Sequence, residues 1–497
     1  MRNIFFFILT IIASIYSSAQ TIVPDKNPQQ INQVLKEILS DEGFKTASFA
    51  FLAIDLETNK IVAEYHPDMA LIPASTLKLI STSTALELLG PNYQFKTTLE
   101  YSGKLNKEDG FLQGNIYIKG GGDPCLGSKY FDSTKSKAFL KDWTKSIQAL
   151  GIDSISGGII ADAHIYSWDI IPQAWSWNNM GNYFGAGPCG LSIYDNYYTI
   201  YFNTGGFNNL SEIKTVIPHI PDIEFDNQAI ADHISYDNTN IFGAPYCNKR
   251  YIRGSMPMNK KMFAVKGSIP DPAYIASVQL DSALKAKGIH IVEKASTIRR
   301  IFYNKHVVDT NERTPIIITR SPLLKDIITQ TNTHSINLFA EHCLIESGRQ
   351  MGALPQTEIA IDSLISFWQK RGMDTQGLSI YDGSGLSLKN AITPRQQVFI
   401  LSYMKNQSKN FTAFYQSLAV AGKTGTLKNM FIGTRAENQI HAKSGSLDRV
   451  RTYNGYITSI SGKKIAFSML VNNFSCSQKN AKIQLEKLML ALAELKK

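Results

Sequence analysis

The chain has 497 residues, 43% of them hydrophobic and 19% charged, with a formal net charge of +10. That length exceeds one ordinary hydrophobic core and implies two or three domains, and the composition excludes a largely disordered chain. The positive balance suits anionic surroundings such as a cell wall or membrane surface; with no concentrated Lys/Arg run and an export leader at the start, it argues against nucleic acid as the partner.

Residues 1–20 read as a secretory signal peptide. Arg2 supplies the positive start, Ile4 to Ile15 is an apolar run short of a membrane span, and Ser17-Ser18-Ala19 offers the small residues of a cleavage site near Ala19 or Gln20. The expected location is therefore outside the cytoplasm, in the periplasm or cell envelope, with peripheral contact to membrane or wall. No Cys follows the apolar run to carry a lipid anchor, and no later stretch reaches the ~18 consecutive apolar residues of a transmembrane helix.

Residues 28–41 carry a helical pattern, with Ile31, Val34, Leu35, Ile38 and Leu39 on one face. Ala47–Asp55 and Ile61–Tyr65 read as two strands about the polar turn Glu57-Thr58-Asn59-Lys60, a hairpin. A helix is expected from about Ser75 to Leu89, stopped by Gly90-Pro91. From 97 to 295 the chain changes to short strand-like runs and turn clusters, among them Gly120-Gly121-Gly122-Asp123-Pro124, and reads as inserted β-rich material. Helix resumes over Leu323–Gly348. A second hairpin, Gly455–Ile460 and Lys464–Val471, precedes a final amphipathic helix with Ile483, Leu485, Leu488, Met489 and Leu492. Because both termini contribute a helix and a hairpin, the expected fold is α+β. An antiparallel sheet is built from both ends of the chain, with the terminal helices on one face.

Three short motifs could meet in one site. Ser75-Thr76-Leu77-Lys78 puts a hydroxyl and an amine three residues apart on one helical face. A hydroxyl becomes a nucleophile when a base takes its proton, and a desolvated lysine with a lowered pKa can be that base. Ser335-Ile336-Asn337, expected within a helix, offers a hydroxyl to pass a proton and an amide to hold the base and a substrate carbonyl. The third is a Lys-Ser/Thr-Gly tripeptide, for which a cation must face the nucleophile from an edge strand, with a glycine admitting a substrate backbone. Lys443-Ser444-Gly445 has strand context; Lys423-Thr424-Gly425 does not and is set aside. Each motif recurs elsewhere by chance, but their order along the chain matches the trio of serine β-lactamases and penicillin-binding proteins.

The five cysteines, Cys125, Cys189, Cys247, Cys343 and Cys476, are widely spaced, and the sequence does not choose a disulfide pair. His342-Cys343 with His334 nearby does not match zinc-ligand spacing and is read as a core or surface cluster. No metal and no organic cofactor are expected.

With these residues in place the chain resembles the low-mass class C penicillin-binding proteins, the D-Ala-D-Ala carboxypeptidase/endopeptidase family, over nearly the whole mature chain. Beyond the trio, the likeness rests on Gly120–Pro124, on Tyr381-Asp382-Gly383-Ser384-Gly385-Leu386-Ser387 with Asn390 and Thr393-Pro394, on Gly425-Thr426-Leu427, and on Ala442-Lys443-Ser444-Gly445-Ser446-Leu447. The gap between Lys78 and Ser335, about half the chain, is larger than ordinary serine β-lactamases have there. In the resembling family it holds two extra domains nested in the peptidase domain. The resemblance implies a discontinuous peptidase domain, 21–96 plus 296–497, around an insert over 97–295. It implies that Ser75 forms an acyl-enzyme, Lys78 is the base, Ser335 relays the proton, and Asn337 orients Lys78 and the substrate amide. Lys443 and Ser444 would hold the terminal carboxylate or the reacting hydroxyl network, and the N–H groups of Ser75 and Ser446 would form the oxyanion hole. The implied substrate is a peptidoglycan stem peptide, with β-lactams as inhibitors. By the same resemblance Asn179 stands where some relatives place an acidic residue that meets the amino group of the stem peptide, here without the acid. Two readings compete: a serine β-lactamase or esterase with the same nucleophile, and a catalytically inactive wall-binding protein. Oligomeric state is not legible.

Overall fold

The computed structural model describes residues 27–496 apart from Val308; the expected leader, 1–20, lies outside the described residues. The two ends of the chain meet in one six-stranded antiparallel sheet. Its order is Ala419–Val420, Ile440–Leu447, Val450–Thr458, Lys464–Asn472, Ser48–Asp55, Ile61–Tyr65. Ser48–Asp55 runs against Lys464–Asn472 in unbroken register from Ser48 opposite Asn472 to Asp55 opposite Ile465. This pairing of a strand near residue 50 with one near residue 470 makes the peptidase half a single body.

Side chains of successive strand residues point to opposite faces, and the strand Ser48–Asp55 uses both. Phe49, Phe51 and Ala53 share one core with Ile31, Leu35, Leu485 and Leu488 of the helices Gln29–Ser40 and Gln478–Ala493. Ala50 and Leu52 face the opposite core, formed with the helices Lys78–Leu89, Leu324–His334, Asn337–Gln350, Thr357–Gln369 and Pro394–Asn406. Lys78–Leu89 is buried nearly all round, from Lys78 through Leu86. It therefore lies inside this second core, which explains why its apolar residues show no one-sided stripe. Among the described residues no helix is long and apolar enough to cross a membrane.

The inserted region differs from expectation in extent and in kind. Its first strand, Lys96–Ser102, pairs along its length with Arg313–Arg320, so the insert closes at Arg320 rather than at the expected 295. Strand pairing, which composition does not reveal, sets that end. The region is also not purely β-rich. Ile116–Lys119, Ile159–Asp162 and Ser296–Thr297 pair in parallel. Parallel pairs need crossovers, and the helices Ala138–Ala149 and Pro272–Lys285 lie between them in sequence. Inside this sequence stretch, residues 197–268 build two further sheets of three and four strands.

Candidate active site

The turn that carries Ser75 is not the start of an α-helix. Ala74–Leu77 is a 3₁₀ turn, and the α-helix begins at Lys78. In a 3₁₀ turn side chains three apart eclipse one another, which aims the Lys78 amine directly at the Ser75 hydroxyl, Nζ donating to Oγ at 2.9 Å. Ala74 enters the turn with φ +45°, left-handed for a residue with a Cβ, at a cost of about 1–3 kcal/mol. The approach is fixed from both sides. The Asn472 side chain accepts from the Ile72 N–H at 2.8 Å and donates to its carbonyl at 3.2 Å, while the Pro73 carbonyl accepts from Thr76 and Thr452 hydroxyls at 2.8 and 2.7 Å.

Lys78 is fully buried. Besides Ser75 its ammonium position is met by Asn337 Oδ1 at 2.7 Å and the Ser384 carbonyl at 2.6 Å. Burial drives its pKa down to about 7, against the opposing pull of the Asp382 carboxylate.

Ser335 departs from the expected helix. Leu324–His334 ends at Ser335, which has φ +60°, Ile336 is extended, and a new helix starts at Asn337. The break aims the two polar side chains at different lysines: Ser335 Oγ accepts from Lys443 Nζ at 2.9 Å, and Asn337 accepts from Lys78. Asn337 Nδ2 donates to the Phe184 carbonyl at 2.8 Å, so the insert braces the amide. Lys443 is also fully buried, and desolvation, reinforced by the nearby Lys78 and Arg451 charges, holds its pKa well below the ordinary lysine value.

Lys443 lies on the strand Ile440–Leu447, which the two-residue strand Ala419–Val420 covers only at Ala442 and His441. Beyond that point Lys443 to Ser446 form the free edge that the chemistry needs. Ser444 donates to Thr426 at 2.7 Å. Gly445 also serves a purpose that the sequence did not show. A Cβ there would come 2.2 Å from Thr452 Oγ1, 2.8 Å from the Pro73 carbonyl and 2.9 Å from the Ser75 nitrogen, so its lack of a side chain lets the strand seat the nucleophile turn. Gly445→Ala is expected to cost about 1–3 kcal/mol by overpacking and to slow reaction at Ser75 disproportionately, as a melting curve alongside active-site labelling will report.

Ser75, Ser335, Asn337 and Ser446 line a cavity of about 460 Å³, with Lys78 and Lys443 beneath its polar rim. Asn179 lines the same cavity beside Tyr183 and Phe184 of the insert, with Tyr130, Asp195 and Tyr197. Lys423 is exposed and does not reach it. His342 is a core residue: its Nδ1 donates to the Gly122 carbonyl at 2.8 Å, its Nε2 meets Ser192 Oγ at 3.1 Å, and burial lowers its pKa to about 4.

Sequence reasoning missed the group behind Lys78. Asp382–Gly385 forms a tight turn, in which Gly385 takes φ +80° and a Cβ would collide with the Ala74 carbonyl at 1.9 Å. The turn also delivers the Ser384 carbonyl to Lys78 and buries Asp382 beside it. Trp175 of the insert donates to Asp382 Oδ2 at 2.8 Å. The only signal in the sequence was the density of Asp, Gly and Ser in that stretch.

A family model described as the D-Ala-D-Ala carboxypeptidase 3 (S13) family matches residues 31–493. The chain is 24% identical over 451 residues to the D-alanyl-D-alanine carboxypeptidase DacB of Haemophilus influenzae, covering 88% of each chain. It is 24% identical over 461 residues to the D-alanyl-D-alanine carboxypeptidase of an Actinomadura species, covering 90% of this chain and 81% of that one. Among solved structures, penicillin binding protein 4 (dacB) from Haemophilus influenzae superposes with a TM-score of 0.78 at 22% identity, over 94% of this chain and 99% of the other. At that identity the superposition establishes the shared fold. The chain belongs to the D-Ala-D-Ala carboxypeptidase 3 (S13) family, among the low-mass class C penicillin-binding proteins.

Proposed function

We propose that the protein is a serine D-Ala-D-Ala carboxypeptidase/endopeptidase that cleaves peptidoglycan stem peptides through an acyl-enzyme on Ser75 and is inhibited by β-lactams. The observation that carries this reading is the three-way coordination of buried Lys78 by Ser75 Oγ, Asn337 Oδ1 and the Ser384 carbonyl. A buried amine held at a hydroxyl by two acceptors is oriented to remove that hydroxyl's proton, and its lowered pKa supplies the neutral form.

In the proposed reaction Ser75 Oγ attacks the carbonyl of the penultimate D-Ala while its proton passes to Lys78 Nζ. The backbone N–H groups of Ser75 and Ser446 receive the developing oxyanion, each such donor being worth about 3 kcal/mol. The C–N bond breaks as Ser335, backed by Lys443, gives its proton to the departing D-Ala amine and takes in return the proton that Lys78 gained, leaving Lys78 neutral to activate the hydrolytic water. Ser444 and the Lys443 charge receive the terminal carboxylate, Gly445 keeps the strand against the nucleophile turn, and water then hydrolyses the ester. Asn179 faces the acyl side of the substrate. The same geometry accepts a β-lactam, whose leaving group stays tethered, so the acyl-enzyme persists. The structure of the Haemophilus influenzae relative complexed with a β-lactam supports this. The leader pattern and positive charge support export to the periplasm or cell envelope.

A fluorescent penicillin is expected to label the mature protein covalently and slowly reversibly, with the adduct mapping by mass spectrometry to the peptide containing Ser75 and with Lys423→Ala labelling normally. An adduct on another residue overturns the assignment. Rapid release of the opened drug would favour a β-lactamase, and no adduct at all would favour the inactive wall-binding reading.

A further inference from the structure

Two carboxyl groups, Asp382 and Glu341, occupy the buried compartment around Lys78, both with no solvent exposure. Their hydrogen-bond environments are opposite. Asp382 Oδ1 accepts from the Gly385 N–H at 2.7 Å and Asn390 Nδ2 at 2.9 Å, and Oδ2 from the Ser387 N–H at 2.6 Å and Trp175 Nε1 at 2.8 Å. Four donors and no acceptor are the surroundings of an anion. Glu341 Oε2 accepts one bond, from the Gly383 N–H at 2.8 Å. Its Oε1 and the Ser384 hydroxyl lie beside one another, and among the described residues neither has a partner of hydrogen-bond geometry. One donor on one oxygen, with a hydroxyl next to the other, are the surroundings of a neutral acid whose proton sits on Oε1 and turns toward Ser384.

We infer that Glu341 is held as the neutral carboxylic acid and acts as a positioning residue, so that Lys78 faces one negative charge, that of Asp382, and not two. The placement fits the role. Glu341 stands four residues after Asn337 on the same helix, hence on the same face, and the Ser384 whose hydroxyl it meets is the residue whose carbonyl holds Lys78. Two carboxyls in one low-dielectric compartment do not both ionise, and the one with more donors keeps the charge. Burial and the Asp382 charge both push Glu341 above the usual carboxylate range and prevail over the Ser384 hydroxyl, the Gly383 N–H and Lys78, which oppose them. The remaining titratable neighbours are Cys343 on the same helix and Lys443 beyond Lys78; His342 turns away to Gly122. Were Glu341 an anion, the second charge would stabilise the Lys78 ammonium and withdraw the base.

The inference rests on the reading of Lys78 as the base, and its test separates the two. The rate of acylation by a fluorescent penicillin is followed over about pH 5 to 9 for the wild type and Glu341→Gln, whose amide reproduces the neutral acid: an acceptor toward Gly383, a donor toward Ser384. The midpoint of the acid limb, whatever its height, is expected to stay within about 0.3 pH unit of wild type; a downward move of about one unit or more shows that Glu341 was an anion holding a proton on Lys78. Should the variant not fold, the infrared spectrum of the wild-type protein carrying ¹³C-carboxyl glutamate decides. A protonated-carboxyl band at neutral pH is expected, and its absence overturns the inference. Failure of the wild type to take up penicillin at all would count against the proposed function, while the infrared result would still decide the state of Glu341.

Discussion

Ser75→Ala is expected to lose acylation and D-Ala release by a factor on the order of 10⁴ or more, the scale seen when a hydrolase loses its nucleophile, while remaining folded. The fold should survive because Ser75 is only half-buried and supports nothing but the contact with Lys78. The Lys78 amine keeps Asn337 Oδ1 and the Ser384 carbonyl, and the turn keeps its Pro73, Thr76, Thr452 and Asn472 bonds. A methyl in place of the hydroxyl opens no core cavity, so the melting temperature should hardly move. The measurement is D-Ala release from a peptide ending in D-Ala-D-Ala, with penicillin labelling in parallel. Undiminished labelling in the variant would place the nucleophile elsewhere and dismantle the proposed site.

Lys78→Met is expected to be the second most damaging change, by about 10²–10⁴-fold in acylation rate, the range a positioned base contributes. Its pH signature is more telling than its size. Burial lowers the Lys78 pKa to about 7, so the neutral amine predominates above that value and the ammonium below it. Wild-type acylation should therefore rise with pH through about 7 and level off above. The variant, lacking the titrating base, should lose that limb. Methionine fills the lysine stem's volume but leaves Asn337 Oδ1 and the Ser384 carbonyl without their donor, about 1–3 kcal/mol for each buried group left unpaired, so a lowered melting temperature should accompany the loss. If the acid limb survives in Lys78→Met, another group is the base, and Lys443, whose pKa burial also depresses, is the next candidate.

What was legible in the sequence was whatever leaves a local periodic or punctuating mark. The apolar run within Ser48–Asp55 announced a strand, and the apolar spacing of Gln29–Ser40 and Gln478–Ala493 announced helices that need a sheet to lie on. The order of three short motifs pointed to residues that do converge: Ser75 with Lys78, Lys78 with Asn337, and Lys443 with Ser335. Other features were fixed by partners distant in the chain, and these only the tertiary structure decided. The insert ends at Arg320 because Arg313–Arg320 pairs with Lys96–Ser102, a long-range register that no composition change marks. Ser335 breaks the helix expected over Leu323–Gly348, and the break sends its hydroxyl and the Asn337 amide to different lysines. The grip of Ser384 on Lys78 is a backbone carbonyl, which every residue type possesses and no motif can reveal. Gly445 is required by the Ser75 backbone, hundreds of residues away, and the opposite charge states inferred for Asp382 and Glu341 follow from how many donors the folded chain brings to each. Side-chain type and spacing are properties of a segment; burial, donor count and close approach are properties of the assembled fold, and they set whether a serine beside a lysine is a nucleophile or only a helix cap.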